Sequence, residues 1–356
     1  MRLPKGAIKP RPAVIKMAPY HPPTAGRAGK LRLDFNENTV GCSPGVVAAL
    51  RASIDPAQLT MYPEYGEARE AIAGFFHVQP SQFTFTNGTD EAIQAFVNTY
   101  VDTGQQVVLL RPSYAMYRFY CEVAGAAIRE VEYALPDMEF PLQQLLEAIT
   151  SETRAVILAN PNNPTGTGTS LLGIERILHR ARKAVVLVDE AYYEFSGVTA
   201  LGEIARLPNV FVCRTFSKVY GMAAMRLGCL FSHEANIESL RKAQSPYSVN
   251  SLAVAAACAA VAETGYIEQY VGEVLAAREL LCLGLEKLGI RYVPSSANFV
   301  LGYFGKRAIE IRDALRGRAI LVRDRSYEAP GCVRITVGTR EQTRILLEAL
   351  NEVWNA

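Results

Sequence analysis

Residues 184–192 have the sequence AVVLVDEAY, in which a short apolar run rich in β-branched residues is followed by two carboxylates and a tyrosine. The run Ala184 to Val188 predicts a buried strand, and the chain contains several similar runs. They are Val107 to Leu110, Ala155 to Ala159, Val210 to Cys213 and Gly228 to Phe231. Because amphipathic stretches such as Asp90 to Tyr100 and Leu171 to Arg182 separate these runs, we predict an α/β fold with a mostly parallel sheet covered by helices on both faces. A ligand is then expected beyond the carboxyl ends of the strands.

The chain has 356 residues, which is enough for two lobes. Beyond residue 246, the stretch Leu252 to Leu288 predicts two long helices interrupted near Gly265, and a final helix is expected from Glu341 to Trp354. The strands expected between them are Asn298 to Tyr303, Ala319 to Val322 and Cys332 to Val337. We therefore predict a large domain over residues 40–245, and a smaller α+β domain formed by residues 246–356 together with an N-terminal arm, residues 1–39.

Charge and cysteine content narrow the classes of function. A formal net charge of +2 argues against a general nucleic-acid binder, which normally has a strong basic excess. No apolar run approaches the roughly 20 residues needed to cross a bilayer. The seven cysteines and four histidines are scattered, so no metal site is expected. Scattered thiols are typical of a reducing compartment, and the expected location is the cytoplasm.

Asp189 follows the predicted strand Ala184 to Val188 directly. A carboxylate at the end of a buried strand is costly unless it is paired or faces a ligand. One partner that would keep Asp189 ionised is the nitrogen of a pyridinium ring. The alternative, a Mg²⁺ ligand in a nucleotide enzyme, lacks the upstream glycine-rich GxxxxGK[ST] loop that such a site requires.

Two other segments carry polar residues that a core does not need. Residues 87–91, NGTDE, place Thr89 or Asp90 as the N-cap of a helix, where free backbone amides and the helix dipole would bind a phosphate. A plain capped helix is the other interpretation of that segment. Residues 160–166, NPNNPTG, form a proline-flanked loop that would aim the amide of an asparagine at a ligand.

A lysine and two arginine segments complete the candidates. Residues 215–228, TFSKVYGMAAMRLG, place Lys218 beside Ser217 and, if the segment is helical, Arg226 about two turns further on the same face. A lysine that forms a Schiff base must be partly desolvated and close to a cation, although a solvated surface turn is also compatible with the pattern. Arg334 lies in a predicted strand, where it either binds a carboxylate or is an exposed residue of the sheet. At least one of Arg323 and Arg325, just upstream, could face the same ligand cavity as Arg334.

Taken in order, the NGTDE, NPNNPTG, DEAY, SK and RITVG segments resemble the fold-type I pyridoxal-phosphate aminotransferases, and among these the histidinol-phosphate aminotransferase subfamily. The resemblance extends from residues 34–38, DFNEN, to the final helix. It implies a large domain with a mostly parallel sheet, a smaller α+β domain and pyridoxal 5'-phosphate as the cofactor. It also implies a homodimer with shared active sites.

The resemblance implies a role for each matching residue. Catalytic roles fall on Lys218 (the Schiff-base lysine and general base), Asp189 (the partner of the pyridine nitrogen) and Tyr192. Cofactor binding falls on Thr89, Asp90, Tyr114, Asn163, Asp189, Tyr192, Ser217, Lys218 and Arg226, with Tyr62 supplied by the neighbouring subunit. Substrate binding falls on Tyr20 and Arg323 for a phosphate and on Arg334 for a carboxylate.

The implied reaction is a transamination between an amino donor and a 2-oxo acid. For the subfamily, it converts histidinol phosphate and 2-oxoglutarate into imidazole acetol phosphate and glutamate, a step of histidine biosynthesis. The alternatives are an aromatic amino-acid aminotransferase, a phosphothreonine decarboxylase, and an oxidase or cyclase of amino-acid tailoring on the same fold. A cofactor-sensing transcription regulator would need an added DNA-binding domain, for which the chain has no segment.

Overall fold

A computed structural model describes residues 8–19 and 24–355 and contains twelve strands and fourteen α-helices in that part of the chain. The strands are β1 (Leu31–Leu33), β2 (Phe83–Thr86), β3 (Gln106–Arg111), β4 (Ala127–Glu132), β5 (Thr153–Ala159), β6 (Val185–Asp189), β7 (Val210–Thr215), β8 (Gly228–Ser232), β9 (Tyr292–Val293), β10 (Phe299–Tyr303), β11 (Ile320–Asp324) and β12 (Cys332–Thr336). The helices are α1 (Pro12–Ile15), α2 (Pro44–Ala52), α3 (Pro56–Leu59), α4 (Gly66–Phe76), α5 (Gly88–Tyr100), α6 (Ala115–Ala124), α7 (Leu142–Ala148), α8 (Leu171–Arg180), α9 (Tyr193–Ser196), α10 (Glu234–Arg241), α11 (Ser251–Ala262), α12 (Thr264–Lys287), α13 (Ala308–Gly317) and α14 (Arg340–Asn355).

Seven strands form the larger sheet, in the order β2-β8-β7-β6-β5-β3-β4. All neighbouring pairs from β4 to β7 are parallel, and only β8 runs antiparallel to its two neighbours. The central strands are buried along their whole length, as expected where helices cover both faces of a sheet. The predicted α/β fold with a mostly parallel sheet is therefore confirmed.

Two strands of this sheet were missed by the sequence prediction, which relied on continuous apolar runs. β4 is an edge strand with the sequence AIREVE, and its side chains are exposed or half-buried except at Val131. β2 has the sequence FTFT and is fully buried although every second residue is polar. In both strands, position within the sheet decides burial more strongly than composition does.

The smaller sheet has five strands, in the order β1-β11-β12-β10-β9. Its edge strand β1 comes from the N-terminal part of the chain and pairs in parallel with β11, with Leu31 opposite Ile320. Three residues beyond β1, the backbone N–H of Asn36 donates to the Thr336 hydroxyl at 2.9 Å, and the Asn298 side chain donates to the Asn36 carbonyl at 3.1 Å. Residues near the two ends of the chain therefore build one side of the cavity described below.

Helices α11 and α12 form the predicted long helical region, and the predicted interruption near Gly265 lies at Glu263. Glu263 leaves the helical conformation, with φ −107° and ψ 54°, and α12 begins at the next residue. Among the described residues no single helix is long and apolar enough to cross a membrane. The two helices together pass that test by length and composition, but they are bent by 78° at their junction.

Candidate active site

A cavity of about 470 Å³ lies at the carboxyl ends of the parallel strands and at the beginning of α5. It is lined by the sequence-predicted residues Thr89, Asp90, Tyr114, Asn163, Asp189, Tyr192, Ser217, Lys218, Arg226, Arg323 and Arg334. A neighbouring cavity of about 530 Å³, lined by Arg27, Arg312 and Arg316, shares Arg323 with it. The first cavity is the candidate active site, because it alone of the two contains the lysine and the buried carboxylate.

Lys218 lies in the turn that follows β7, and its amine projects into the cavity. Its Nζ donates to the carbonyl of Phe35 at 3.0 Å and lies 6.0 Å from the centre of the Tyr192 ring. Burial, assisted by the positive charge of Arg334, lowers the pKa of Lys218 to about 8. About half of these amines are then neutral at pH 8, and a neutral amine is the form that attacks a carbonyl.

The helical interpretation of residues 215–228 is wrong. The segment is a series of turns with one short 3₁₀ helix, Ala223–Met225, and Arg226 has a left-handed backbone with φ 54°. The guanidinium of Arg226 nevertheless reaches the beginning of α5, where Nη2 contacts Asp90 Oδ2 at 3.2 Å and Nη1 is 3.5 Å from the Ser217 hydroxyl. The turn rather than a helix face therefore brings the lysine and the arginine into one cavity.

Helix α5 begins at Gly88, so the N-cap is Asn87 and not Thr89 or Asp90 as predicted. The Asn87 side chain makes no capping hydrogen bond. Gly88 has φ +70°, and a side chain at this position would collide with the Arg226 guanidinium. A glycine at this position thus lets a cation approach the amides of the first turn, which is a favourable arrangement for a phosphate.

Asp189 is the last residue of β6, and its carboxylate is buried in the floor of the cavity. The Tyr117 hydroxyl donates to Oδ2 at 2.7 Å, and the Ala191 amide donates to Oδ1 at 3.0 Å. Burial raises the pKa of this carboxyl, and Asp189 forms no ion pair with any residue that the structure describes. A protonated nitrogen from a bound ring would supply the missing positive charge.

A hydrogen-bond network joins Tyr192 and Arg334 to the N-terminal segment. The Asn36 side chain donates to the Tyr192 hydroxyl at 2.9 Å. The Arg334 guanidinium donates to Asn163 Oδ1 and, at 2.6 Å, to the carbonyl of Asp34. Burial followed by the charge of Arg325 lowers the pKa of Arg334 to about 10. Asn36 is a site residue that the sequence reasoning missed, although it lies in the DFNEN segment.

An ion pair beside Asp189 joins β6 to β7. Arg214 Nε donates to Glu190 Oε2 at 2.7 Å, and both side chains are almost fully buried. The Ala200 amide also donates to Glu190, at 2.6 Å. Breaking a buried ion pair typically costs about 3–5 kcal/mol. This pair therefore holds the end of β6, which carries Asp189, against the end of β7, which precedes Lys218.

One predicted residue among those that the structure describes, Tyr62, does not line the cavity. Tyr62 is 76% exposed, and its ring stacks on that of Tyr247 with the centres 4.5 Å apart. Tyr20 lies outside the described residues.

Comparison with known proteins places this arrangement in a family. Residues 28–350 match the family described as aminotransferase class I and II. The chain belongs to this family. It is 38% identical to the histidinol-phosphate aminotransferase of Symbiobacterium thermophilum, covering 96% of this chain and 97% of the relative. It is 33% identical to histidinol-phosphate aminotransferase 2 of Pseudomonas aeruginosa, with the same two coverages.

A solved structure of the family has the same fold. The histidinol-phosphate aminotransferase of Sinorhizobium meliloti, in complex with pyridoxal-5'-phosphate, superposes with a TM-score of 0.87 at 27% identity, over 98% of this chain and 99% of that one. This aminotransferase is therefore a pyridoxal-phosphate enzyme. The cavity fits the cofactor in three respects. A lysine of lowered pKa, a buried carboxylate without an ion-pair partner among the described residues, and a helix start with an arginine beside it all line the cavity.

Attachment of the cofactor is expected to depend on pH through Lys218. Only the neutral amine reacts, so the attachment rate should rise with pH, with a midpoint near the Lys218 pKa of about 8, and then level off. Stopped-flow absorbance after mixing apoenzyme with pyridoxal phosphate measures this rate. A midpoint near 10.5, the usual value for lysine, would contradict the effect assigned to burial.

Proposed function

We propose that this aminotransferase transfers the amino group between histidinol phosphate and 2-oxoglutarate, forming imidazole acetol phosphate and glutamate. The observation that carries this proposal is the arginine-rich wall of the cavity, where Arg323 lies directly opposite Arg334 in the pairing of β11 with β12. One arginine can then bind a carboxylate while the other binds a phosphate. Full-length similarity to relatives named histidinol-phosphate aminotransferase supports the same substrate pair.

The two substrates require different anion contacts. Glutamate and 2-oxoglutarate carry a carboxylate next to the reacting carbon, whereas histidinol phosphate has a hydroxymethyl phosphate ester there and an imidazole on the other side. We assign Arg334 to the carboxylate, since its hydrogen bonds to Asn163 and to Asp34 hold it close to Tyr192. Arg323 is assigned to the phosphate. Its guanidinium lies 5.3 Å from the centre of the Phe35 ring, whose centre is also 4.4 Å from Arg27.

Bound pyridoxal phosphate supplies an electron sink for the breaking of the bond to hydrogen at the amino-bearing carbon. We assign its covalent attachment to Lys218, whose Nζ would also accept the proton from that carbon. Asp189 would keep the ring nitrogen protonated. Tyr192 and Asn163 would hydrogen-bond the ring oxygen, and Tyr114 would contact the ring.

The cofactor phosphate is assigned to the beginning of α5 and the turn beside it. Backbone amides of Thr89 and Asp90, the Ser217 hydroxyl and the Arg226 guanidinium would bind it. In the described structure Arg226 contacts Asp90, which also accepts a hydrogen bond from the Tyr114 hydroxyl at 2.8 Å. These contacts hold the arginine and the tyrosine beside the beginning of α5.

The substrate assignment predicts a selective effect of Arg323→Ala. Since a hydrogen bond to a charged group contributes about 1.5–3 kcal/mol, KM for histidinol phosphate should rise by about 10- to 100-fold. KM for phenylalanine should change little. Steady-state kinetics with both donors measures the difference, and equal effects on both donors would favour the aromatic aminotransferase alternative.

A half-reaction screen tests the proposed function directly. Holoenzyme is mixed with histidinol phosphate, phenylalanine, glutamate or phosphothreonine, and conversion of the cofactor to its amino form is followed by absorbance. We expect rapid conversion with histidinol phosphate and glutamate and slow conversion with phenylalanine. Conversion with phenylalanine alone, or release of carbon dioxide from phosphothreonine, would replace the proposal with the corresponding alternative.

We also propose a homodimer in which Tyr62 reaches the cofactor phosphate of the partner subunit. Apolar side chains exposed near Tyr62 support an interface on this face, namely Ile54, Leu59, Met61 and Tyr247. Light scattering is expected to give a mass near 78 kDa, about twice the 39.0 kDa of one chain. Tyr62→Phe should weaken cofactor binding severalfold without changing that mass, and a 39.0 kDa particle in solution would contradict the shared site.

We place the enzyme in the cytoplasm. All seven cysteines are free, and Cys121, Cys213, Cys229 and Cys332 are buried. Free buried thiols suit a reducing compartment.

A further inference from the structure

Three arginines project from one face of the small sheet into the cavity. Arg323 is directly opposite Arg334 in the antiparallel pairing of β11 with β12. Arg325 lies two residues beyond Arg323, and its backbone N–H donates to the Cys332 carbonyl at 3.0 Å. Because side chains alternate along a strand, Arg325 shares the face of the other two, and all three line the cavity.

Arg325 is buried yet has donors to spare. It is 6% exposed, and its Nε has no hydrogen-bond acceptor among the described residues. Its Nη2 forms an ion pair with Glu328, and its guanidinium lies 5.2 Å from the centre of the Tyr327 ring. A buried guanidinium with an unused N–H is costly unless a ligand accepts that hydrogen bond.

The neighbouring charges also favour an anion at this place. Arg325 is close enough to Arg334 that its charge, after burial, is the largest cause of the lowered pKa of Arg334. Arg334 cannot serve as the acceptor that Arg325 lacks, and its own hydrogen bonds go to Asn163 and Asp34. Two neighbouring positive charges destabilise each other, and an anion bound beside both arginines would relieve that repulsion.

We infer that Arg325 is a specificity-determining residue that binds the substrate phosphate together with Arg323. Two guanidinium groups match the several oxygens and the double negative charge of a phosphate monoester better than one does. Glu328 competes with the ligand for Arg325 and so limits how tightly singly charged anions are held. This inference rests on the proposed function for the identity of the substrate, but binding of a phosphate at Arg325 is measurable without turnover.

Calorimetric titration of holoenzyme with inorganic phosphate tests the inference. We expect Arg325→Gln to weaken phosphate binding about tenfold or more, which corresponds to about 1.4 kcal/mol. Arg325→Lys, which keeps the charge, should recover part of the affinity. The control is Arg318→Gln, an equal change of charge at an exposed arginine that pairs with Glu352 on the surface. Unaltered thermal unfolding and cofactor absorbance establish that the variants are folded.

A second variant separates ligand binding from a structural role of Arg325. Glu328→Gln removes the competing carboxylate, so phosphate should bind severalfold more tightly than to the wild type. Arg325→Gln should also raise KM for histidinol phosphate and leave KM for glutamate unchanged. If Arg325 had only a structural role, Arg325→Gln and Glu328→Gln would both bind phosphate more weakly, or both would bind it like the wild type.

The outcomes keep the two proposals apart. If wild-type holoenzyme binds phosphate and Arg325→Gln binds it equally well, the inference about Arg325 is wrong whatever the substrate. Absence of phosphate binding by the wild type would also overturn it. If phosphate binding depends on Arg325 but histidinol phosphate is not converted, the phosphate site stands and the proposed substrate is replaced by another phosphate monoester.

Discussion

Lys218→Ala is expected to lower the transamination rate by at least about 10⁴-fold, because the variant loses both the amine proposed to attach the cofactor and the base proposed to move the substrate proton. Bound cofactor should remain, since the beginning of α5, Asp189 and Arg226 are unchanged, but it should no longer be covalently attached. Borohydride reduction followed by peptide mass analysis measures attachment, and a coupled glutamate assay measures turnover.

Lys242→Ala provides the matched control, because this lysine at the end of α10 is exposed and does not line the cavity. The control should retain wild-type attachment and turnover. Cofactor still found on a peptide of Lys218→Ala after reduction would show that another lysine is the site of attachment. Substantial turnover by that variant would likewise contradict the proposed role.

Asp189→Asn is expected to give the second largest loss, about 10²- to 10⁴-fold in kcat. Its physical basis is the loss of the carboxylate proposed to keep the ring nitrogen protonated. Breaking a buried ion pair costs about 3–5 kcal/mol, and each 1.36 kcal/mol is a factor of ten in rate. The asparagine keeps the shape. Its amide oxygen can accept the hydrogen bond from the Ala191 amide, and its amide nitrogen can donate to the Tyr117 hydroxyl. The loss should therefore appear in turnover with the fold intact.

Single-turnover kinetics with glutamate measures this effect, with Asp102→Asn as the control for removal of a carboxylate charge at an exposed position. The unfolding temperature of the variant should stay close to that of the wild type. Burial raises the pKa of Asp189, which means that the buried charge is unfavourable in the protein without cofactor. A variant with wild-type turnover would exclude Asp189 as the partner of the ring nitrogen.

The sequence predicted the central strands well because their signal is local. β5, β6 and β7 are largely continuous apolar runs. Residues that follow such runs lie at the carboxyl edge of a parallel sheet. This rule correctly predicted that Asp189 and Lys218 line one cavity. The edge strand β4 carries no such signal. Its charged side chains face solvent, so only its partner β3 identifies it.

Positions that depend on distant parts of the chain were harder to predict. Asn36 contacts Tyr192, which is 156 residues away, and no spacing rule connects the two. The helix that would put Arg226 on the same face as Lys218 does not form, because glycine and small residues there allow turns as readily as helical structure. The role of Tyr62 depends on a second chain, which a single sequence describes only through family resemblance.

The contacts between the N-terminal and C-terminal parts of the chain have a consequence for the synthesis of the protein. Lys218 donates to the carbonyl of Phe35, and Asn36 bonds to Thr336, which is 300 residues further along. A nascent chain that has emerged only as far as α12 contains Lys218, Asp189 and the beginning of α5. It still lacks β11 and β12, and with them Arg323, Arg325 and Arg334. During synthesis the lysine and its surroundings therefore emerge before the arginines proposed to bind the substrate. Newly made chains thus gain the means to hold the cofactor earlier than the means to discriminate between amino donors.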